Sequence, residues 1–516
     1  MKLTAITTAI LFVPLLLTGC SPDSNSNSAP SAKQPATEEA QASGIPPASA
    51  APSAAPSASE ALRIDLIKQD KGFSFPLHDS EEVNGFVAQT FPVPNDRNLV
   101  AHVVKRTVYD PEEIRYRLDV VAVNPKEQTY SLYPVADITV KDNYSVDSIA
   151  GAYGFTKQDQ LVLVQPKKRE DGQEGIQYDV VALDLRNGRM KTIAANAVPD
   201  VSPSFYARGW MNNSGYLYLN SYSDGRLWLV DVLTGEVRRI EGPFKHEWPL
   251  YLVTPSPDGN LFWHEQTDSF RLYDRNGKEL KVIPPTLGYH SYPAFEWSPD
   301  SRFAALSFTL SDSHDNVLGG DEAYIIAPEA IAFYDEKGDL TWDVQAKPKE
   351  GLTHVDWNGW LAKGNEGVLS WYRLDRAEKG AVPRKIDRTY ALANVMTGQI
   401  TDLTPAKKLE DLKSPVAVVS RTGPLLFVDR DEGLFWSPAE EMGNEDRNYI
   451  LLSKPEGPQL IWAARDYSSE QTAISRYNPV NHATSVTVFN EPLGEGLQLV
   501  DDTLIVDNKM NYRWIH

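Results

Sequence analysis

The chain has 516 residues, a formal net charge of −20 at pH 7, 41% hydrophobic residues and one cysteine. That acidity argues against non-specific binding to nucleic acid and against docking on anionic lipid heads, and a lone cysteine can form no internal disulfide. After the first twenty residues no stretch approaches the roughly 18–20 apolar residues of a membrane-spanning helix.

The N-terminus reads as an export signal. Lys2 supplies the positive start, residues 3–17 form an apolar stretch broken only by threonines and Pro14, and the stretch ends in Leu17-Thr18-Gly19-Cys20. Charge, a short apolar region and small residues at the cut are the three parts of a secretory signal. The Leu-Thr-Gly-Cys ending resembles the lipobox of bacterial lipoproteins. That resemblance implies cleavage before Cys20 and a diacylglycerol on its sulfur, so lipid is the expected anchor. Ser21 stands where an Asp would retain a lipoprotein in the inner membrane, which favours the outer membrane in a two-membrane cell. Residues 1–19 are thus expected to be a signal peptide.

Residues 21–60 follow, of which 28 are Ala, Ser or Pro and only Ile45 is large and apolar. Such a segment buries too little surface to offset its ordering entropy, so 20–60 is expected to be a lipidated cysteine followed by a disordered linker. As a flexible coil it spans roughly 35 Å, more with its prolines. The first twenty residues contribute a charge of +1 and the next forty −3, which leaves −18 on residues 61–516.

That remaining body lacks helical periodicity. Short alternating or aromatic-rich runs recur, bounded by Gly, Asn, Asp and Pro, which is the pattern of strands and turns. Hairpins repeat around Asp184-Leu-Arg-Asn187-Gly188, Asp231-Val-Leu-Thr234-Gly235, Asp274-Arg-Asn276-Gly277, Asp335-Glu-Lys337-Gly338 and Asn394 to Gly398. The turn glycines are 42 to 61 residues apart, against roughly 40–50 for a four-stranded propeller blade. A second element precedes two of the hairpins: Ser256-Pro257-Asp258-Gly259 and Trp297-Ser298-Pro299-Asp300-Ser301. Proline and aspartate suit a tight turn, which makes these aspartates structural.

This Ser-Pro-Asp-Gly turn resembles the repeat of TolB-like β-propellers. The resemblance implies an all-β domain over 61–516, a β-propeller of four-stranded antiparallel blades. Blade centres fall at 86–133, 147–194, 205–241, 250–284, 293–345, 353–403, 415–453 and 458–489, with 496–516 and 62–67 closing the ring. Seven or eight blades follow.

Long insertions at 107–115, 166–177, 309–329, 374–387 and 437–448 fall between second and third strands. In a propeller these connections share a face with the inter-blade connections. Loops on a rigid scaffold are where binding residues concentrate, so this face is the expected binding site, with Asp312, His314, Asp315, Asp321, Arg376 and Arg384 as its candidates. His246-Glu-Trp248-Pro249 and His290-Ser-Tyr292-Pro293 repeat one motif in adjacent blades, and His354 lies at a comparable place in the next. Three imidazoles around a funnel suit a transition metal or acid–base chemistry on a polysaccharide; repeat-derived packing histidines are the plainer reading. No Gly-x-Ser-x-Gly elbow, phosphate loop, His-Glu-x-x-His or cysteine-rich zinc motif occurs.

The expected function is therefore a lipid-tethered, extracytoplasmic binding or scaffold module for an envelope protein or cell-wall polysaccharide, without a cofactor. The alternative is a surface polysaccharide lyase or hydrolase using His246, His290 and His354.

Overall fold

The computed structural model describes residues 62–63, 67–69, 72–74 and most of 84–515. Outside the description lie 110–112, 142–148, 170–174, 199–206, 212–214, 222–225, 241–252, 267–268, 284–294, 309–316, 319–324, 376–383, 419–423, 440–446, 467–470 and a few single residues. Cys20 and the segment 1–61 lie outside it too.

Strand follows strand because apolar and polar residues alternate and a recurring Asx turn closes one hairpin of each of the first eight blades. The described strands form nine sheets of four or five strands, besides one two-stranded pair at Val317–Leu318 and Ile325–Ile326. Eight sheets take four strands from one continuous stretch each, over 84–141, 151–198, 207–240, 253–283, 295–345, 354–402, 404–436 and 447–489, and the first adds Leu62–Arg63. The ninth joins both ends of the domain: Gln498–Asp501, Leu504–Val506 and Asn511–Trp514 pair in succession, and Asn511–Trp514 also pairs with Gly72–Ser74, which pairs with Ile67–Gln69. This is a nine-bladed propeller, which corrects the expectation of seven or eight. The tail does not complete one of the eight blades read from the sequence; it builds a further one.

Each blade shares a core with the next. One apolar cluster runs through the first three blades, from Val103 and Leu118 past Leu163 and Val180 to Leu217 and Trp228. Further clusters join the third blade to the fourth, and so on around to the ninth. The ring then closes: Val100, Val104, Val121 and Val123 of the first blade pack on Val500, Leu504, Val506 and Tyr512 of the ninth. At that seam His102 is fully buried, with Nδ1 3.0 Å from Thr90 Oγ1 and Nε2 2.6 Å from Tyr512 Oη.

The N-terminal strands divide between two blades. Leu62–Arg63 pairs with Tyr130 and Thr129 on the outer edge of the first sheet, and only Ile67–Gln69 joins the ninth. The expectation that 62–67 completes the last sheet is corrected accordingly. Tyr449 to Leu451 likewise belongs to the eighth sheet, not the seventh, because it pairs with Trp462, Ala463 and Ala464.

Turn chemistry repeats with the blades. The side-chain oxygen of Asp184, Asp231, Asp274, Asp335, Asn394, Asp429 and Asn478 accepts the backbone N–H two residues on, as does that of Asn124 in the first blade. These are Asx turns, which satisfy turn N–H groups locally. In the Ser-Pro-Asp turns, Ser256 Oγ donates to Asp258 and accepts from Leu261 N–H; Ser298 does the same with Asp300 and Phe303. Gly259 has φ +70°, and Ser301 holds the equivalent place at +64°. The strain of a side chain there is offset because Ser301 Oγ accepts the N–H of Asp258 from the preceding blade.

The seam sets a pH dependence. Burial depresses the His102 imidazole from 6.5 to about 3, so the folded ring stays neutral while an unfolded chain takes up a proton near pH 6.5. The unfolded state binds more protons between those values, so stability is complete above pH 6.5 and falls as pH drops toward 3. Urea midpoints of the wild type should fall over pH 7 to 4. His102→Gln should start lower and fall less steeply; equal slopes would exclude His102 as the titrating group. Tyr512→Phe, which leaves a buried imidazole nitrogen without its phenol, should cost about 1–3 kcal/mol.

Candidate binding face

Antiparallel order fixes which turns share a face. Within a blade, first-to-second and third-to-fourth strand turns lie on one side, and second-to-third connections lie on the other with the inter-blade connections. Four of the five long insertions do join second and third strands. The fifth, 437–448, lies between the seventh and eighth sheets and is an inter-blade connection on the same face, which corrects its assignment.

Several insertions are largely strand. Asp96–Tyr109 and Glu113–Asn124 pair out to Tyr109 and Ile114, Leu161–Lys168 and Ile176–Leu183 out to Lys168 and Ile176, and Glu366–Asp375 and Arg384–Asn394 out to Asp375 and Arg384. Pro166 is tolerated mid-strand because the neighbouring first strand, Gly151–Phe155, pairs no further than Val164. The connections proper are 110–112, 169–175 and 376–383. The face is thus built of projecting hairpins.

Ion pairs brace these hairpins. On the first blade Arg115 bonds Asp137 at 2.7 Å and holds its carboxyl below the usual range, while Arg117 meets the buried Asp119 at 2.8 Å. Burial pushes the Asp119 carboxyl up, against the pull of Arg117. On the second blade Lys167 pairs with Asp179, which also accepts the backbone N–H of Asn196.

The sixth blade carries the densest cluster. Asp356 on His354–Trp360 accepts from Lys385 Nζ at 2.5 Å and from Tyr372 Oη at 3.1 Å. The Lys385 ammonium lies 4.7 Å from the Tyr372 ring centre and the Arg388 guanidinium 5.9 Å. Burial and the Asp356 carboxylate push the Tyr372 phenol far up, so it serves as a donor and not as a base. Arg373 pairs with Asp387 at the hairpin surface.

His354 sits at the edge of this cluster. Its ring stacks on Tyr372 at 5.5 Å and 20°, Nδ1 lies 2.7 Å from Thr353 Oγ1, and the residue is 8% exposed. The described geometry around it is that of packing. His246, His290, Asp312, His314, Asp315, Asp321 and Arg376 lie outside the described residues. The backbone of Arg384 pairs with that of Asp375. Among the described residues no group of three His, Cys, Asp or Glu is arranged to hold a metal. Trp297 and Trp357 are buried between blades, Trp297 donating to Thr254 O. Sequence reasoning missed Asp356, Tyr372, Lys385 and Arg388, whose association depends on strand register across three strands.

No family model matches the chain, and no curated protein matches it. It is similar to the solved structure of the tricorn protease (12% identity, TM-score 0.36), covering 83% of this chain and 42% of that one. It is similar to a eukaryotic initiation factor (11%, TM-score 0.41, covering 81% and 94%) and to TolB from Acinetobacter baumannii (13%, TM-score 0.26, covering 75% and 79%). At these scores the likenesses carry no argument about activity, and the fold rests on the sheets themselves.

The sixth-blade cluster yields a stability test. The Lys385 and Asp356 side chains are 11% and 5% exposed, so Asp356→Ala strands a buried ammonium and should cost about 3–5 kcal/mol. Arg373→Ala breaks a half-exposed pair and should cost less than about 1 kcal/mol. Urea unfolding of both variants checks the contrast.

Proposed function

We propose that the chain is a lipid-anchored, extracytoplasmic propeller that acts as a binding or scaffold module for an envelope protein or a cell-wall polysaccharide. The observation that carries this reading is the concentration of projecting, ion-paired hairpins on one face of a rigid ring. Rigid hairpins present side chains at low ordering cost, which suits recognition. The segment 373–388 carries six cations, Arg373, Arg376, Lys379, Arg384, Lys385 and Arg388, against three carboxylates, Asp375, Glu378 and Asp387, and so is net basic on an acidic body. The acidic insertion 309–329, which has five carboxylates and no Lys or Arg, belongs to the adjacent blade. Insertions of opposite charge in adjacent blades favour a partner of mixed charge over a uniformly charged polymer. The anchor follows from the lipobox-like Leu17-Thr18-Gly19-Cys20.

Two measurements test the reading. Cys20→Ala should move the protein from the membrane fraction to the soluble fraction, and mass spectrometry should find acyl groups only with Cys20 present. Replacing 309–329 and 376–383 by short turns should abolish capture of crosslinked envelope partners while thermal unfolding stays cooperative. Capture at wild-type levels by the grafted ring would overturn the assignment of this face.

A further inference from the structure

The face opposite the hairpins has its own pattern. In each Asx turn that links the last two strands of the first eight blades, the residue two after the Asx is exposed. In three blades that residue is apolar: Leu233 is 84% exposed, Met396 58% and Val480 85%. The residues just before the first two, Val232 and Val395, are 7% and 0% exposed and pack into the blades. The apolar tips are therefore no mere spill of the core. The other five tips are Lys126, Arg186, Asn276, Lys337 and Asp431, and Leu340, 56% exposed, adds an apolar side chain beside the fifth turn.

The apolar tips belong to the third, sixth and eighth blades, three, two and four steps apart around the ring. Points so spread do not form a groove for a peptide or a patch for a small protein. They are feet on a plane. The first described strand also ends by this face: Arg63 pairs with Thr129, the first residue after the corresponding turn of the first blade.

We propose that this face rests on the phospholipid surface to which the N-terminus is anchored, with Leu233, Met396 and Val480 dipping into the headgroup layer. The hairpin face then points outward. The inference rests on the anchor reading for its occupant: tethering through a segment of about forty residues raises the local lipid concentration, so three shallow insertions suffice. The contact is apolar, not coulombic. With −18 on residues 61–516, anionic lipid should weaken it at low salt and added salt should restore it.

Single thiols can be placed at will, because Cys20 is the only native cysteine. Cys20→Ala protein carrying an N-terminal histidine tag, held on nickel-chelating phosphatidylcholine vesicles with brominated acyl chains, is labelled with a fluorophore at Met396→Cys or Arg373→Cys. Quenching at 396 should exceed that at 373 by about three-fold or more, and Leu233→Asp with Val480→Asp should erase the difference while the unfolding midpoint stays unchanged. Equal quenching, or more at 373, overturns the proposal; so does loss of a crosslinked protein from the double variant with quenching retained. Since this assay bypasses acylation, a failure of Cys20 lipidation in cells leaves its result standing and separate.

Discussion

Nine blades become a ring only if the ninth can be made, and its sheet takes strands from both ends of the domain. Gly72–Ser74 lies against Asn511–Trp514, so the sheet cannot exist until some 440 residues of intervening chain are in place. The fit is close: a Cβ on Gly72 would stand 2.0 Å from Tyr512 O, which leaves room for no side chain. The seam is then sealed by valines of the first blade and by the Thr90–His102–Tyr512 hydrogen bonds. Closing so long a loop costs entropy that grows only slowly with length, and the return is the burial of two sheet faces that would otherwise meet water. An open ring would expose the apolar faces that the first and ninth blades bury against each other.

Once closed, the ring is stiff for ordinary reasons. Its interfaces are apolar and aromatic, as where Phe333 stacks on Trp342 and meets Trp357 and Trp360 edge-on. Hydrogen bonds cross from blade to blade as well, from Tyr218 to Gly259 O and from Trp371 to Gln345 O. Such a body carries its two faces as separate surfaces. That separation is the physical basis for reading the hairpin face and the turn face as different surfaces.

Much of the ring was legible in the sequence because its signals are local. The glycines 188, 235, 277, 338 and 398 mark turns, and all five have φ between +68° and +82°. The Ser-Pro-Asp turns make within a few residues the bonds that their composition implies. The blade number was not legible, because the ninth sheet is assembled from segments more than four hundred residues apart and the seventh ends in the two-residue strand Thr404–Pro405, which pairs parallel to Leu434 and Phe435. The hairpins resemble loops in sequence for a related reason. Charged residues such as Arg115, Lys167 and Arg373 look like loop residues in isolation, but each is neutralised by a partner set by register: Asp137, Asp179 and Asp387.

The sixth blade shows why register matters for function too. Asp356 and Lys385 are 29 residues apart, and nothing in their spacing links them; three paired strands bring them together beneath the connection 376–383. A buried ion pair contributes little net stability over an apolar pair of similar size, so stability alone does not account for one here. What it does is hold the roots of a basic hairpin in one position, with Tyr372 bonded to Asp356 and stacked on His354. A hairpin fixed at its root loses little further entropy when its tip is engaged. The same cluster that withdraws His354 from solvent therefore weakens the case for chemistry at this point of the mouth and strengthens the case for recognition.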